Sequence, residues 1–72
     1  MGTESMNEFV HISDLWGTPI HHALLKCAHD GKLAEDIDNI SDASGFEYKF
    51  SDNCLYLKLV DEQKYLLWSL SQ

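Results

Sequence analysis

Two runs of alternating residues, separated by an Asp-Asn dipeptide, restrict the folding of this chain more than any other feature. Phe46, Tyr48 and Phe50 alternate with Glu47, Lys49 and Ser51, and Leu55, Leu57 and Leu59 alternate with Cys54, Tyr56 and Lys58. A period of two marks a strand with one buried face. With Asp52-Asn53 as a two-residue turn, both residue types tolerating positive φ, Phe50 falls opposite Leu55, Tyr48 opposite Leu57 and Phe46 opposite Leu59. All six then share one face. A three-residue loop would slip the pairing by one and send the aromatics and the leucines to opposite faces, so the apolar pattern selects the tighter turn. The same register sets Glu47 across from Lys58 on the other face, an opposite-charge pair worth ~0.2–1 kcal/mol.

Beyond the hairpin the pattern has two readings. If Asp61–Lys64 is a connection, Leu66 meets Leu59, Trp68 meets Leu57 and Leu70 meets Leu55, which predicts a third strand within residues 62–71. The competing reading makes Asp61 a helix cap, because Leu66, Leu67 and Leu70 also fit helical spacing. The strand is the expectation, because it turns nine bulky side chains from three strands toward one face, which no other register achieves.

Upstream, punctuation and periodicity predict two helices. Thr18 is placed to cap a helix and Pro19 to occupy its first position, where a missing N–H is harmless. Ile20, Ala23, Leu24 and Cys27 form one stripe, with His22, Lys26 and His29 opposite, and Gly31 is a left-handed terminator. From Lys32 to Ile40, the residues Leu33, Ile37 and Ile40 make a second, shorter apolar seam, after which Ser41–Gly45 has loop composition. Phe9–Ile12 has the β-branched and aromatic content of a short edge strand, and residues 1–7 read as a flexible N-terminus or expression scar. The expected architecture is α+β: two helices packed on one face of a three-stranded antiparallel β-meander, with a short N-terminal edge strand, in a single small domain spanning residues 8–72.

Thr18-Pro19-Ile20-His21-His22-Ala23 resembles the ankyrin-repeat signature T-P-L-H-x-A, in which the histidine ties back to the threonine. The resemblance covers six residues. Cys27 stands where that family has glycine, Gly31 comes four residues late and no second copy follows, so an ankyrin stack is not expected. What the resemblance implies locally is a hydrogen bond between His21 and Thr18.

Charge narrows the classes of function. The 72 residues carry twelve acids against five lysines, a formal net charge of -7. Nucleic-acid readers draw affinity from Lys and Arg on phosphates, so direct nucleic-acid binding is disfavoured. Between Lys32 and Lys49 the acids Glu35, Asp36, Asp38, Asp42 and Glu47 occur without a basic residue, a local field suited to a basic protein surface or to a solvated helix face. The apolar runs are far short of a bilayer span, and two cysteines are too few for a disulfide framework. A cytoplasmic protein with no membrane contact is the expectation, its cysteines acting as small apolar groups.

Residues able to carry chemistry do not assemble on paper. His21, His22, Cys27 and His29 are metal-ligand types, but on a helix His22 and His29 lie two turns apart, roughly 10 Å, and Cys27 points to the apolar side. Neither metal nor cofactor is expected. A nucleophile built on Cys27 or Cys54 would need a base and an orienting group that the spacing does not provide, so the chain is not expected to be an enzyme. The outer sheet face offers more: in the meander register Tyr56, Val60, Tyr65 and Leu67 lie away from the helices, among Lys49, Lys58 and Ser69. Tyrosine-rich sheet surfaces suit protein contact, although the N-terminal strand and Trp16 are placed to cover this one.

The leading expectation is thus a small acidic, non-catalytic protein-binding module, an inhibitor or adaptor. Its partner-binding residues would be Glu35, Asp36, Asp38 and Asp42 toward a basic surface, and Tyr56, Tyr65 and Leu67 toward an apolar one. A homo-oligomer is compatible with this. Two alternatives are a nucleic-acid mimic, whose acids imitate phosphates, and a winged helix-turn-helix regulator, whose outline two helices and a hairpin fit.

Overall fold

In the computed structural model, which describes residues 8–72, the elements follow in the order β1 (Val10–His11), a 3₁₀ turn (Ile12–Leu15), α1 (Pro19–His29), α2 (Leu33–Ser44), β2 (Phe46–Ser51), β3 (Cys54–Leu59) and α3 (Glu62–Leu70). The chain is α+β, with an antiparallel three-stranded sheet in the order β1-β3-β2. The expectation for residues 1–7 lies outside the described residues.

The hairpin forms in the expected register. Phe46 pairs with Leu59, Tyr48 with Leu57, Phe50 with Leu55 and Glu47 with Lys58. Asp52 and Asn53 both take left-handed backbone, φ 54° and 64°, the two-residue geometry whose twist matches that of the flanking strands.

The first helix is bounded as its residues require. Thr18 Oγ1 accepts from the His21 backbone N–H at 3.3 Å and donates to the Leu15 carbonyl at 2.6 Å. The tie between Thr18 and His21 therefore runs through the backbone, while the His21 ring lies tilted against Trp16, centroids 4.6 Å apart. At the other end Gly31 is left-handed, φ 73°; its N–H reaches the Ala28 carbonyl at 3.1 Å and the Lys32 N–H reaches Cys27 at 2.9 Å. This pair of bonds satisfies carbonyls that the helix would otherwise leave open.

Two expectations are corrected. Residues 41–44 are not loop but the last turn of α2. Serine favours loops because its hydroxyl competes for backbone groups. Here the Ser41 hydroxyl donates to the Phe46 carbonyl and the Ser44 hydroxyl to the Ser41 carbonyl at 3.4 Å, both buried, so each is satisfied inside the fold. Gly45, φ 76°, is the terminator.

The larger correction concerns residues 62–71, which form no strand. They wind as α3, with the Asp61 carboxylate accepting from the Lys64 N–H at 3.0 Å. The edge of β3 that a meander strand would have used is held by β1, through Val10 opposite Leu57 and His11 opposite Tyr56. The edge strand expected at Phe9–Ile12 is thus real and shorter, Val10–His11, and it takes the third place in the sheet. With that edge occupied, a capped run of Glu, Gln, Lys and Leu follows its helical preference.

Three helices rather than two consequently share the inner face of the sheet. Ile20 and Leu24 of α1, Ile37 of α2, and Phe46, Leu55 and Leu57 of the hairpin form the buried core. Tyr65 and Trp68 of α3 pack against it. Tyr65 meets Phe46 edge-on at 5.2 Å and stacks with Trp68 at 5.9 Å. Leu66 and Leu70, expected to face the core, are 62% and 82% exposed.

Candidate functional site

The core stripe of α2, Leu33, Ile37, Ile40, Ser41 and Ser44, fixes which way its acids turn. Glu35, Asp38 and Asp42 stand on the exposed side, at spacings of three and four that bring them into one row. Asp36 does not join them. It is half-buried and close enough to Cys27 to disfavour the thiolate there.

The row is only partly compensated. Asp42 lies 3.9 Å from Lys64 in an exposed pair, worth ~0–1 kcal/mol. Asp38 accepts a hydrogen bond from the Tyr48 hydroxyl at 2.6 Å. Glu35 and Asp36 sit in the first turn of α2, where open N–H groups favour negative charge and where Lys32 supplies no side-chain cap. Like charges four apart, such as Asp38 and Asp42, disfavour a helix by a few tenths of a kcal/mol. A cationic partner would relieve that repulsion.

The Tyr48–Asp38 bond has a titration signature. Chiefly through this hydrogen bond, with smaller effects of burial and of the Asp38 charge, the Tyr48 phenol is held above its ordinary value. A group raised in the folded state contributes stability that is complete below its unfolded pKa and is lost as pH rises through the folded one. In an ultraviolet titration, the component that disappears in Tyr48→Phe is expected to move to lower pH in Asp38→Asn. An unmoved component would show that the bond does not form in solution.

The apolar trio does not assemble. Tyr56 is on the outer sheet face as expected, half-buried, with the His11 ring edge-on at 5.3 Å. Lys49 lies over Phe9 at 4.7 Å and 5.9 Å from the Tyr56 centroid, and Lys58 lies over Phe9 at 5.4 Å. Phe9 and His11 therefore cover part of that face, while Glu47, Lys49 and Ser51 stay exposed. Tyr65 is on the inner side, against Phe46 and Trp68, and Leu67 is on the outside of α3, 66% exposed. A strand over residues 62–71 would join the three, and the helix separates them.

Exposed apolar side chains that the register arguments missed lie elsewhere. Trp16 is 76% and Leu25 54% exposed, and both line a groove of about 580 Å³ closed on one side by Ser69 and Gln72 at the end of α3. Leu25 falls just outside the α1 stripe, and helical spacing alone could have shown it. A second cleft of about 250 Å³ is walled by Leu15, Ile20, Leu57 and Leu59. Its polar neighbours among the described residues are Glu8, Thr18 and Tyr65, of which Thr18 already has its hydroxyl on the Leu15 carbonyl.

No three of His, Cys, Asp and Glu converge among the described residues. The His21 ring is buried beside Trp16, and His11 Nδ1 accepts from the Ser13 N–H at 3.1 Å. Cys27 and Cys54 are unpaired and half-buried. Partial burial, then Asp36 and Asp30, push the Cys27 thiol up, which lowers the thiolate fraction a nucleophile depends on. No described helix is long and apolar enough to cross a membrane. No protein-family model matches the chain, and neither does any curated protein or solved structure.

Proposed function

We propose that this chain is a non-catalytic protein-binding module, an inhibitor or adaptor, whose α2 presents Glu35, Asp38 and Asp42 to a basic surface on another protein. The observation that carries the reading is the row itself: three exposed acids on a helix without a basic residue, two of them four apart. Such a row speeds encounter with a cationic partner and weakens as salt screens it. Asp36 is set aside from this surface because it turns toward Cys27.

The test compares the wild type with Glu35→Gln/Asp38→Asn/Asp42→Asn as bait in the host lysate. A partner held by the wild type at low salt is expected to bind the variant at least about tenfold more weakly, and to leave the wild type at high salt. The same proteins retained equally by both baits would sink the reading. Release of that partner by added nucleic acid would make the acids phosphate mimics.

A second reading, a winged helix-turn-helix regulator, is favoured by the outline. Two helices joined through Asp30, Gly31 and Lys32 precede the hairpin, and β1 closes the sheet on the far side of β3. In that outline α2 is the helix that would enter a groove. Its acidic row opposes phosphate, so this reading requires a gel shift showing tight, sequence-selective binding.

A further inference from the structure

We propose that the outer edge of β2 takes up an extended basic segment of a partner protein as a fourth strand of the sheet. The pairing of β2 with β3 fixes which backbone groups that edge offers. In an antiparallel pair, residues that exchange hydrogen bonds alternate with residues that do not. The two-residue turn makes its flanking pair, Ser51 with Cys54, a bonded one, and at the other end the Val60 N–H reaches the Gly45 carbonyl at 2.9 Å. Between these ends Glu47 and Lys49 turn their N–H and C=O groups toward β3, while Phe46, Tyr48 and Phe50 turn theirs away from it. The Phe46 carbonyl accordingly accepts the Ser41 hydroxyl on that outer side. Tyr48 and Phe50 have no backbone partner there among the described residues, so two N–H and two C=O groups stand open in one row.

Strand edges are ordinarily protected from such pairing by a proline, a bulge or an outward lysine. β2 has neither proline nor bulge, since its register with β3 runs unbroken from Phe46 to Ser51. Its one lysine does not stand over the edge. Lys49 Nζ lies 5.9 Å from the Tyr56 centroid and 4.7 Å from that of Phe9, the residue that precedes β1 on the opposite side of the sheet. Directional donors and acceptors at strand spacing select an extended backbone as the occupant.

Charge selects the kind of segment, a choice that rests on the reading of α2 as the contact for a basic partner. Two hydrogen bonds hold α2 alongside β2, from the Ser41 hydroxyl to the Phe46 carbonyl and from the Tyr48 hydroxyl to Asp38 at 2.6 Å, so the row of Glu35, Asp38 and Asp42 borders the open edge. Side chains of an added strand alternate between the two faces of the sheet. Those opposite Tyr48 and Phe50 fall on the helix side, beside the acids, where lysine or arginine at alternate positions answers the row. The Phe50 ring, 56% exposed at the same edge, offers its face to one of these cations. A second copy of this chain suits the edge poorly, because it brings its own net charge of -7 and its own acidic row.

The test titrates the isotope-labelled whole chain, at low salt, with a short peptide of alternating arginine and threonine, and with the same peptide N-methylated at its arginines. N-methylation keeps the charge and removes the N–H groups that would pair. The first peptide is expected to move the amide signals of Tyr48 and Phe50 and to slow their exchange with solvent, and the second to bind at least about tenfold more weakly. Phe50→Pro removes an edge N–H that β3 does not use, and Phe50→Ala lacks the same ring but keeps that N–H. The proline variant should bind the first peptide about threefold or more weakly than the alanine variant, with both keeping a cooperative melt. Equal binding of the two peptides, or shifts confined to α2, would overturn the added strand and leave the acidic row as the contact. Undiminished binding of the first peptide by Glu35→Gln/Asp38→Asn/Asp42→Asn would overturn the choice of a basic segment, while the lysate comparison decides the reading of α2 separately. Exchange protection of Tyr48 and Phe50 in the chain alone, lost on dilution, would give the edge to a second copy and overturn the proposal as well.

Discussion

Gly45→Ala is expected to lower the free energy of unfolding by about 2–4 kcal/mol in urea titration, against about 1 kcal/mol for Gly31→Ala. The two glycines have nearly the same backbone, φ 76° and 73°, so the penalty of a left-handed alanine, about 1 kcal/mol or a little more, is common to both. Their surroundings differ. A Cβ at Gly31 meets nothing within 4 Å, whereas one at Gly45 falls 2.4 Å from the Asp61 carbonyl oxygen and 3.1 Å from Lys64 Cβ. That oxygen is backbone and cannot swing aside. The Gly45 carbonyl also accepts from the Val60 and Asp61 N–H groups at 2.9 and 3.1 Å, which ties the end of α2 to the start of α3. Shifting either side strains those bonds at a cost of about 1–3 kcal/mol. In a domain of this size, with a few kcal/mol of net stability, the alanine chain should sit near its unfolding midpoint. Equal losses at the two glycines would mean that the approach at Asp61 is looser than described.

The second large effect is expected at Leu57. Leu57→Ala should destabilise by about 3–4 kcal/mol, and Phe50→Ala by about 1 kcal/mol or less, although alternation assigns both residues to the same face of the hairpin. Leu57 is 1% exposed on the central strand, between Val10 and Tyr48, so truncation leaves a cavity that rigid neighbours cannot fill. Phe50 is 56% exposed on the outer strand next to the turn, and its described ring contact is an edge-on one with Tyr48 at 5.8 Å. Most of that ring is already in water. Urea unfolding of the two variants measures the contrast directly; losses of similar size would mean that the helices reach further over the hairpin than the burial of Phe50 indicates.

The acidic row and the apolar trio show what a one-dimensional reading can deliver about a surface. Leu33, Ile37 and Ile40 state which side of α2 is buried and so leave Glu35, Asp38 and Asp42 outward, whereas Asp36, expected in the same group, is half-buried beside Cys27. Tyr56, Tyr65 and Leu67 share a face only if residues 62–71 are extended, and they are helical. Once residues 62–71 coil, Tyr65 turns inward and Leu67 outward, and the surface expected of them dissolves.

The chain by itself determined the elements whose reasons are local. Strict alternation about Asp52-Asn53 allowed one register that buries both apolar sets, and Thr18-Pro19 with Gly31 bounded α1, since caps and tight turns are decided by side chains a few bonds away. Tertiary structure decided residues 62–71. Their spacing satisfies a strand and a helix alike, and the choice rests on whether the free edge of β3 is available. That edge is taken by Val10 and His11 from the opposite end of the chain, a pairing whose worth depends on contacts no short window contains. With the edge filled, Asp61 caps a helix, Trp68 and Tyr65 close the core, and three leucines are left facing outward.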